Sequence, residues 1–483
     1  MFADYTEDVE EWTQENFSGI YLGDKRLTSR VEKVAKAFAE NPGKSIPQIF
    51  FSWSDIKAAY DLFSQENATP DKIQFVHREK VRESLEKHGE TFLLIEDTTE
   101  LCWSGNEPIE GLGPVGGSKD RKIGFLLHSV LSVCWKKENP FDIGNGTRRP
   151  PVEIIGIADQ QYHIREPRSE EEKKSSDSKK GLLRPRESQL WENSSRRLGH
   201  CPEGCRWIRV SDRGSDIYEY LKSCEDFKHN YVVRSAQDRS LEDPETFREC
   251  GHLFEEVRKA EVLGKFELTI RSRPGIKSRV AKMKVAVKKV RLRSPQRPGK
   301  AAGSLPSITC SVVHAYEVDA PPDVKSPIEW FLLCSEEIIS YEAALNCILI
   351  YTTRWLIEEF HKGLKTGMGA ENLQLEQAHR LFAAISIMSI VALRLLYIKE
   401  WVRLIPDSDA SNSGLSDVEI EVLGLVLKRQ IKTVRDVALG IGRLGGHIGR
   451  RRDGMPGWET LWRGANKLQL LVEGYLLSKN KKT

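Results

Sequence analysis

Two apolar segments that each lead into an aspartate are the feature that most limits how this sequence can fold. Residues 92–95 read Phe-Leu-Leu-Ile and come just before Asp97, and residues 207–210 read Trp-Ile-Arg-Val and come just before Asp212. Short apolar runs of this kind predict buried strands. Because open α/β sheets bind ligands where their strands end, an acid at each strand end is well placed for chemistry. Taken alone, however, an aspartate after a strand more often forms a turn or caps a helix.

The other predicted elements indicate an α/β fold with helical ends. Further strands are predicted at 122–135 and 151–164, and a helix-like segment follows the second aspartate, which is typical of α/β sheets. Residues 230–335 are mainly strand-like, and within them apolar residues at 283, 285 and 287 alternate with Lys and Ala, the period of a half-buried strand. The chain before about residue 70 and after Ser340 predicts helices.

Charge is distributed unevenly, although the 483-residue chain has a formal net charge of only +3. Between Arg271 and Lys300 lie twelve Lys or Arg residues and no Asp or Glu. A helix predicted around Leu27 to Phe38 also carries several basic residues, among them Arg30. Such stretches attract phosphate backbones and favour a nucleic-acid partner. The alternative is that these basic residues form an ordinary solvated surface, which would have the same sequence pattern.

Signals for export or membrane insertion are weak. The N-terminus is acidic and lacks the apolar core of a signal peptide. The longest apolar run, 381–393, is too short to span a bilayer and predicts a buried helix. Nine cysteines are scattered without a regular framework, which is typical of a reducing cytosol. We therefore expect a cytoplasmic protein that does not enter membranes.

The segment 351–365, YTTRWLIEEFHKGLK, carries four functional groups at helical spacing. They belong to Tyr351, Arg354, Glu358 and Lys365. At about 100° per residue, all four fall within an arc of about 60° on one helix face. A carboxylate beside three donors suits a metal-bound phosphate. The alternative is a solvated helix in which Arg354 and Glu358 form an i,i+4 ion pair.

Together these motifs resemble the IS-four family of insertion-sequence transposases. The spacing Tyr-x2-Arg-x3-Glu-x6-Lys is similar to that family's Tyr-Arg-Glu-Lys motif. The sequence IEDTT around Asp97 resembles its first acidic motif, and SDRGSD around Asp212 resembles its second. Shorter similarities follow in the same order along almost the whole chain. Gly214 departs from the pattern, because a bulkier acidic residue is expected there, and it predicts a less firmly held Asp212.

The resemblance implies a DDE active site on an RNase-H-like fold. In it Asp97, Asp212 and Glu358 would be the catalytic residues and would hold two Mg²⁺ ions, or Mn²⁺ in their place. Carboxylates on rigid elements suit these ions because Mg²⁺ prefers oxygen ligands. Two such ions can activate the attacking hydroxyl and offset charge at phosphorus.

The resemblance also implies a set of side chains that contact double-stranded DNA. Phosphates of the transposon end would be bound by Tyr351, Arg354 and Lys365. Trp330 would stack on a flipped base, Arg234 would lie near the cleaved strand, and Arg30 would bind the terminal repeat. Without the resemblance, a lone Trp in a strand is more often part of the core.

We therefore expect an RNase-H-like α/β core interrupted by a β-rich insertion and flanked by helical regions. The expected parts are a DNA-end-binding domain (1–70), the first part of the core (71–229), the insertion (230–335), the second part of the core (336–375) and a dimerisation region (376–483).

The implied activity is cut-and-paste transposition of a bacterial element. A homodimer would pair two terminal repeats in a synaptic complex, cleave each end, form and open a hairpin, and join the end to target DNA. Two alternatives stay open: an RNase-H-fold nuclease without strand transfer, and a DNA-binding relative without catalysis. The retained set of Tyr351, Arg354 and Lys365 argues against the first, and the three intact acids argue against the second.

Overall fold

The computed structural model of the chain is a mixed α/β protein with a large mixed sheet and helical regions at both ends. The predicted fold class is confirmed at this level. The structure describes residues 9–104, 109–116, 122–136, 150–166, 186–270, 278–295, 305–450 and 454–480.

From Val9 onward, the described residues form six helices before the sheet. They are α1 (Val9–Phe17), α2 (Lys25–Glu40), α3 (Ile46–Ile49), α4 (Trp53–Phe63), α5 (Pro70–Ile73) and α6 (Phe75–Leu85). Helix α2 begins after Asp24, whose carboxylate caps it by accepting the Arg26 N–H at 2.9 Å. Its predicted apolar face is buried, including Val31 and Phe38, so its basic residues remain on the outer side.

The first part of the sheet has the strand order β4-β3-β1-β5-β6. Strands β1, β3 and β4 are antiparallel, whereas β5 and β6 run parallel to β1. The elements are β1 (Thr91–Trp103), β2 (Gly113–Val115), β3 (Lys122–Cys134), β4 (Glu153–His163), α7 (Gln189–Leu198), β5 (Arg206–Ser211), α8 (Tyr218–Asp226) and β6 (Asn230–Arg234). Because α8 crosses between β5 and β6, both strands end at the same edge of the sheet.

The strand-rich residues 230–335 extend the same sheet. Strand β12 pairs with β6, and β11, β10 and β9 follow outward in antiparallel order. The added elements are β7 (Ser240–Glu242), β8 (Glu249–His252), α9 (Leu253–Arg258), β9 (Val262–Ile270), β10 (Arg279–Leu292), β11 (Ile308–Val318) and β12 (Glu329–Cys334). Of the basic stretch 271–300, residues 271–277 and 296–300 lie outside the described residues.

Strand β10 keeps the predicted alternation, but the buried face changes along its length. Met283 and Val285 are buried as predicted, whereas Val287 is only partly buried. Further along, Val290 and Leu292 are buried instead, on the opposite face. The first half of the strand packs against the main hydrophobic core and the second half against a separate core that includes α9. The sequence pattern could not reveal that two cores cover opposite faces.

Helices follow the sheet. They are α10 (Tyr341–Thr352), α11 (Trp355–Lys362), α12 (Ala378–Leu404), α13 (Asp417–Leu427), α14 (Val434–Leu444) and α15 (Trp458–Asn480). Helix α12 is long and apolar enough to cross a membrane, but 81% of its most apolar window is buried inside the protein. The prediction that residues 381–393 form a buried helix is confirmed, since α12 is part of the main core.

Candidate active site

Asp97 and Asp212 lie at the point where β1 and β5 separate. Strand β1 continues beside β3 as far as Trp103, so the prediction that Asp97 ends its strand is wrong. Pairing of β1 with β5 nevertheless stops at Ile95 opposite Val210, and each aspartate stands two residues beyond that pair. Asp212 directly follows the end of β5, as predicted. The two acids therefore follow the last paired residues of β1 and β5 at the same edge of the sheet.

The carboxyl group of Asp97 is mostly buried and lies near the negative charge of Asp212. Burial, followed by the negative charge of Asp212, raises its pKa to about 6. The N–H of Thr98, which donates to Asp97 Oδ1 at 2.7 Å, and the positive charge of Arg354 oppose that rise. Since the rise persists, the positive charge of Arg354 does not offset burial and the charge of Asp212 at the Asp97 carboxyl group.

Asp212 is held by the turn that follows it. Its Oδ1 accepts the N–H of Gly214 at 2.7 Å, which caps a 3-10 turn over Arg213–Ser215. A Cβ at Gly214 would lie 3.1 Å from this Oδ1 and 3.5 Å from the Trp191 ring. Gly214 therefore binds the Asp212 carboxylate through its backbone N–H, and the looser hold on Asp212 that was expected from this glycine stays a prediction.

The segment 351–365 is not one helix, contrary to the prediction. Helix α10 ends at Thr352, α11 begins at Trp355, and a π-helical turn over Gly363–Gly367 follows. The hydroxyls of Thr352 and Thr353 donate to carbonyls three residues earlier, at 2.7 and 2.6 Å. Hydroxyl bonds of this kind bend helices. Tyr351 consequently lies near the end of α10, Arg354 caps the start of α11, Glu358 lies within α11, and Lys365 lies in the π-helical turn.

Despite the bend, Arg354 lies between two of the expected catalytic acids. Its Nη2 donates to Glu358 Oε1 at 2.5 Å, and its Nη1 lies 3.8 Å from Asp97 Oδ2. The residue is only 8% exposed, and within the described part of the chain its buried Nε has no hydrogen-bond partner. The guanidinium thus bridges Asp97 and Glu358 and keeps one N–H for a further acceptor.

Asp97 and Glu358 line one cleft, with a volume of about 410 Å³. Lys365 and Glu371 also line it, with 3.3 Å between the ammonium and the carboxylate. Lys365 Nζ donates in addition to the carbonyl of Glu100 at 2.7 Å. The negative charge of Asp212 acts on Asp97, although Asp212 does not line this cleft. The cleft therefore offers carboxylates to a cation and an ammonium group to an anion.

His361 lines the same cleft and was missed by the sequence analysis. It is 6% exposed, and among the described residues its Nε2 has no hydrogen-bond partner. Burial lowers the pKa of His361 to about 3, so the ring is neutral near pH 7. The signal that could have identified it is its spacing, since a residue three positions after Glu358 lies on the same helix face.

The acids fit a divalent cation only in part. Within the described ranges, no three His, Cys, Asp or Glu side chains are arranged to hold a metal ion. Asp97 and Asp212 provide carboxylate oxygens, the ligand type that Mg²⁺ prefers, and the negative charge of Asp212 acts on Asp97. Glu358 is engaged by Arg354 instead. A shared site for all three acids needs that ion pair to open.

A buried ion-pair network adjoins Asp97 in the sequence, and the sequence analysis missed it too. Glu96 and Arg209 are both fully buried, with Arg209 Nε donating to Glu96 Oε1 at 3.0 Å. The hydroxyls of Ser194 (2.9 Å) and Tyr220 also donate to this carboxylate. Burial alone would raise the pKa of Glu96, but the charge of Arg209 lowers it to about 2. An arginine inside an apolar strand was the available signal, because such a charge requires a buried partner.

The other predicted DNA contacts have mixed surroundings. Trp330 is half-buried and packs edge-on against Tyr351, with ring centroids 5.4 Å apart. Arg234 ends β6 beside the strand of Trp330 and donates to the carbonyl of Glu329 at 3.3 Å. Arg30 lies on α2, remote in sequence from these residues, and forms no ion pair among the described residues. Their roles on DNA stay predictions.

The N-terminal helices match a known family. Residues 9–68 fit the model of a family described as transposase DNA-binding. The matched stretch contains α1 to α4 and Arg30, and it ends just before α5. The match supports a transposase with DNA as its partner.

Proposed function

We propose that this protein is a DDE transposase that moves its element by cut-and-paste transposition. The observation that carries the proposal is the meeting of Asp97 and Asp212 at one sheet edge, with Glu358 reached through Arg354. The match of residues 9–68 to transposase DNA-binding domains supports the same reading independently. Membership of the IS-four family is proposed from the motifs and their spacing.

The strand order supports an RNase-H-like catalytic core. Three antiparallel strands, β4, β3 and β1, are followed by two strands parallel to β1. Asp97 lies on the central strand, Asp212 follows its parallel neighbour, and Glu358 comes from a helix beyond the sheet. We infer that the chain from β7 to β12 is an insertion between the second and third acids that widens this core, whereas β6, which the prediction placed in the insertion, belongs to the core.

Asp97, Asp212 and Glu358 would hold two Mg²⁺ ions, or Mn²⁺, which when bound supply activation of the attacking oxygen and stabilisation of charge at phosphorus. Glu358 joins the two aspartates once Arg354 turns away from it. Arg354 then presents its free Nε–H to a phosphate oxygen, and Lys365 pairs with a second. Arg354 thus neutralises the acids in the free protein and the phosphate in the complex.

The reaction on DNA proceeds by in-line displacements at phosphorus. Water cleaves one strand and frees a 3′-hydroxyl, which attacks the opposite strand to give a hairpin. Water opens the hairpin, and the same 3′-hydroxyl then attacks target DNA. Trp330 would stack on a flipped base during the hairpin steps, and Tyr351, which touches the Trp330 ring, would steady it. Arg234, beside that strand, would contact the cleaved end.

We also propose that the active form is a cytoplasmic homodimer that pairs two DNA ends. The C-terminal helices carry exposed apolar side chains suited to a protein contact, namely Leu425, Leu470, Leu471, Leu476 and Leu477.

The deciding experiment compares wild type with Glu358→Gln on duplex DNA that carries the element's own terminal repeat, with Mg²⁺ present. Products are separated on a denaturing gel. Wild type should give nicks and hairpins, whereas Glu358→Gln should bind the DNA and give neither, because the amide keeps the shape but not the charge. Glu359→Gln is the matched control, since the neighbouring Glu359 pairs with Lys399 and not with the cleft.

Other outcomes would favour the alternatives. Cleavage by wild type without joining of pre-cut ends to target DNA would indicate a nuclease. Binding without cleavage by wild type would indicate a DNA-binding relative.

A further inference from the structure

Two aromatic side chains project into solvent at the turn between α3 and α4. Phe51 is fully exposed and Trp53 is 77% exposed. Phe50 and Ser52, which alternate with them, are half-buried. The alternation indicates an extended turn that directs Phe51 and Trp53 outward together, and Phe50 and Ser52 are extended in their backbone angles. The pair forms a small apolar projection, unlike a single exposed side chain.

The turn is anchored to the basic helix α2. Ser52 Oγ accepts the N–H of Asp55 at 3.1 Å and so caps α4. The carboxylate of Asp55 in turn accepts a hydrogen bond from Lys33 Nζ at 2.6 Å. Because Lys33 belongs to α2, the aromatic pair is held beside that helix and not on a free loop.

Helix α2 has positive charge to offer to a polyanion. Its first turns carry Lys25, Arg26 and Arg30, whose side chains form no ion pair with any described residue. These charges and the aromatic turn both lie within residues 9–68, the stretch that matches transposase DNA-binding domains. Phosphate backbone beside exposed base faces is the chemistry that such a surface complements, which favours DNA over a protein partner.

We propose that Phe51 and Trp53 form an aromatic wedge that contacts bases of the duplex bound by α2. With the phosphates held by α2, the two rings would insert at a base step, partly unstack it and stack on its exposed faces. The wedge would add affinity that does not depend on salt, whereas Arg30 and its neighbours add affinity that does. This inference rests on the DNA-binding part of the proposed function and not on its chemistry.

The test measures DNA binding in EDTA, where no cleavage occurs, so it is separate from the test of catalysis. A short duplex with one terminal repeat carries fluorescein for anisotropy, and a second version carries 2-aminopurine at successive positions. We expect the double variant Phe51→Ala/Trp53→Ala to bind about ten- to a hundredfold more weakly at every KCl concentration. The slope of log affinity against log KCl should stay unchanged. Wild type, but not the variant, should change the 2-aminopurine fluorescence at one step.

Three variants serve as controls. Arg30→Ala should reduce the salt slope by about one and leave the 2-aminopurine signal in place. Phe51→Leu/Trp53→Phe should retain most of the affinity, because both replacements remain large and apolar. Phe247→Ala removes an aromatic side chain that is 61% exposed outside the matched residues and should bind like wild type.

Several results would overturn the wedge. Wild-type affinity in the double alanine variant would do so, as would a uniform affinity loss without any 2-aminopurine response in wild type. A changed sedimentation coefficient of the DNA-free double variant would identify the pair as a protein contact instead. Unchanged far-UV circular dichroism and thermal midpoint are required of each variant. If the alanine variant unfolds, the 2-aminopurine signal of wild type decides the question, since a wedge requires a change at one step and its absence at all of them overturns the wedge.

Discussion

Glu96 and Asp97 are adjacent acids on one strand with opposite electrostatics. Glu96 is fully buried, yet Arg209, followed by His128, lowers its pKa to about 2. Asp97 is less buried, yet burial and Asp212 raise its pKa to about 6. The first carboxylate pairs with a fully buried arginine, whereas the second shares Arg354 with Glu358. Of the two, the carboxylate without sufficient partners is the one that points to function.

Two buried histidines repeat this contrast. His77 uses both ring nitrogens, since Nδ1 donates to Asn16 Oδ1 at 2.8 Å and Nε2 accepts the Ile157 N–H at 3.0 Å. His361 lies in the cleft, and within the described residues its Nε2 has no partner. Groups of the first kind stabilise the fold, and groups of the second kind are available to a ligand.

The largest effect is expected from Asp97→Asn. DNA cleavage should fall by about a thousandfold or more, because loss of a metal-holding charge removes several kcal/mol of transition-state stabilisation. The thermal midpoint should not fall and should rise in metal-free buffer, since the repulsion with Asp212 disappears. Gel assays of end cleavage and metal-free melting curves measure the two effects. If Asp97→Asn instead lost activity because its thermal midpoint fell, Asp97 would act on stability as Glu96 does. The contrast between the two acids would then be wrong.

Glu96→Ala should act in the opposite way, on stability. Removing the carboxylate leaves the Arg209 guanidinium buried and unpaired, which costs about 3–5 kcal/mol of unfolding free energy. Urea unfolding measures the loss. Lys222→Ala is the control, because this half-exposed residue pairs with Asp226 on the same helix as Tyr220 and should cost less than about 1 kcal/mol. Equal losses in the two variants would mean that the buried network contributes no more than a surface pair.

Divalent metal should stabilise the protein through Asp97. Binding to the folded state at about a hundred times the dissociation constant adds about 2.7 kcal/mol. We expect Mg²⁺ to raise the thermal midpoint of wild type and of Glu359→Gln, and to leave that of Asp97→Asn almost unchanged. If Mg²⁺ stabilises Asp97→Asn as much as wild type, the cation binds elsewhere and Asp97 lacks the proposed role.

The sequence predicted the acids at the sheet edge better than it predicted how they are held. Asp97 and Asp212 follow apolar runs, and local pattern is sufficient to find such positions. At the break between α10 and α11, the hydroxyls of Thr352 and Thr353 donate to backbone carbonyls. The helical spacing of the motif residues does not predict these hydrogen bonds. The contact between Arg354 and Asp97 joins residues far apart in the chain, so only the fold could reveal it.

The smallest effect in this series concerns pH and His77. Burial, with Arg78 and Lys80 nearby, lowers the pKa of His77 from 6.5 to about 3. Below pH 6.5, His77 therefore binds a proton in the unfolded chain but stays neutral in the folded protein until the pH approaches 3. The contribution of His77 to stability is complete above pH 6.5 and is lost as the pH falls from 6.5 towards 3.

At about pH 5 the loss due to His77 is about 2 kcal/mol, at about 1.4 kcal/mol per pH unit. Gln keeps a donor and an acceptor but does not titrate, so the stability of His77→Gln should fall less than that of wild type between neutral pH and pH 5. Urea unfolding at both pH values measures this difference, with exposed His88→Gln as the control. Parallel profiles for wild type and His77→Gln would mean that the His77 ring accepts a proton in the folded protein. The hydrogen bond from the Ile157 N–H to Nε2 would then not be needed for folding. His77 could no longer be classed with Glu96 as a buried group whose partners stabilise the fold.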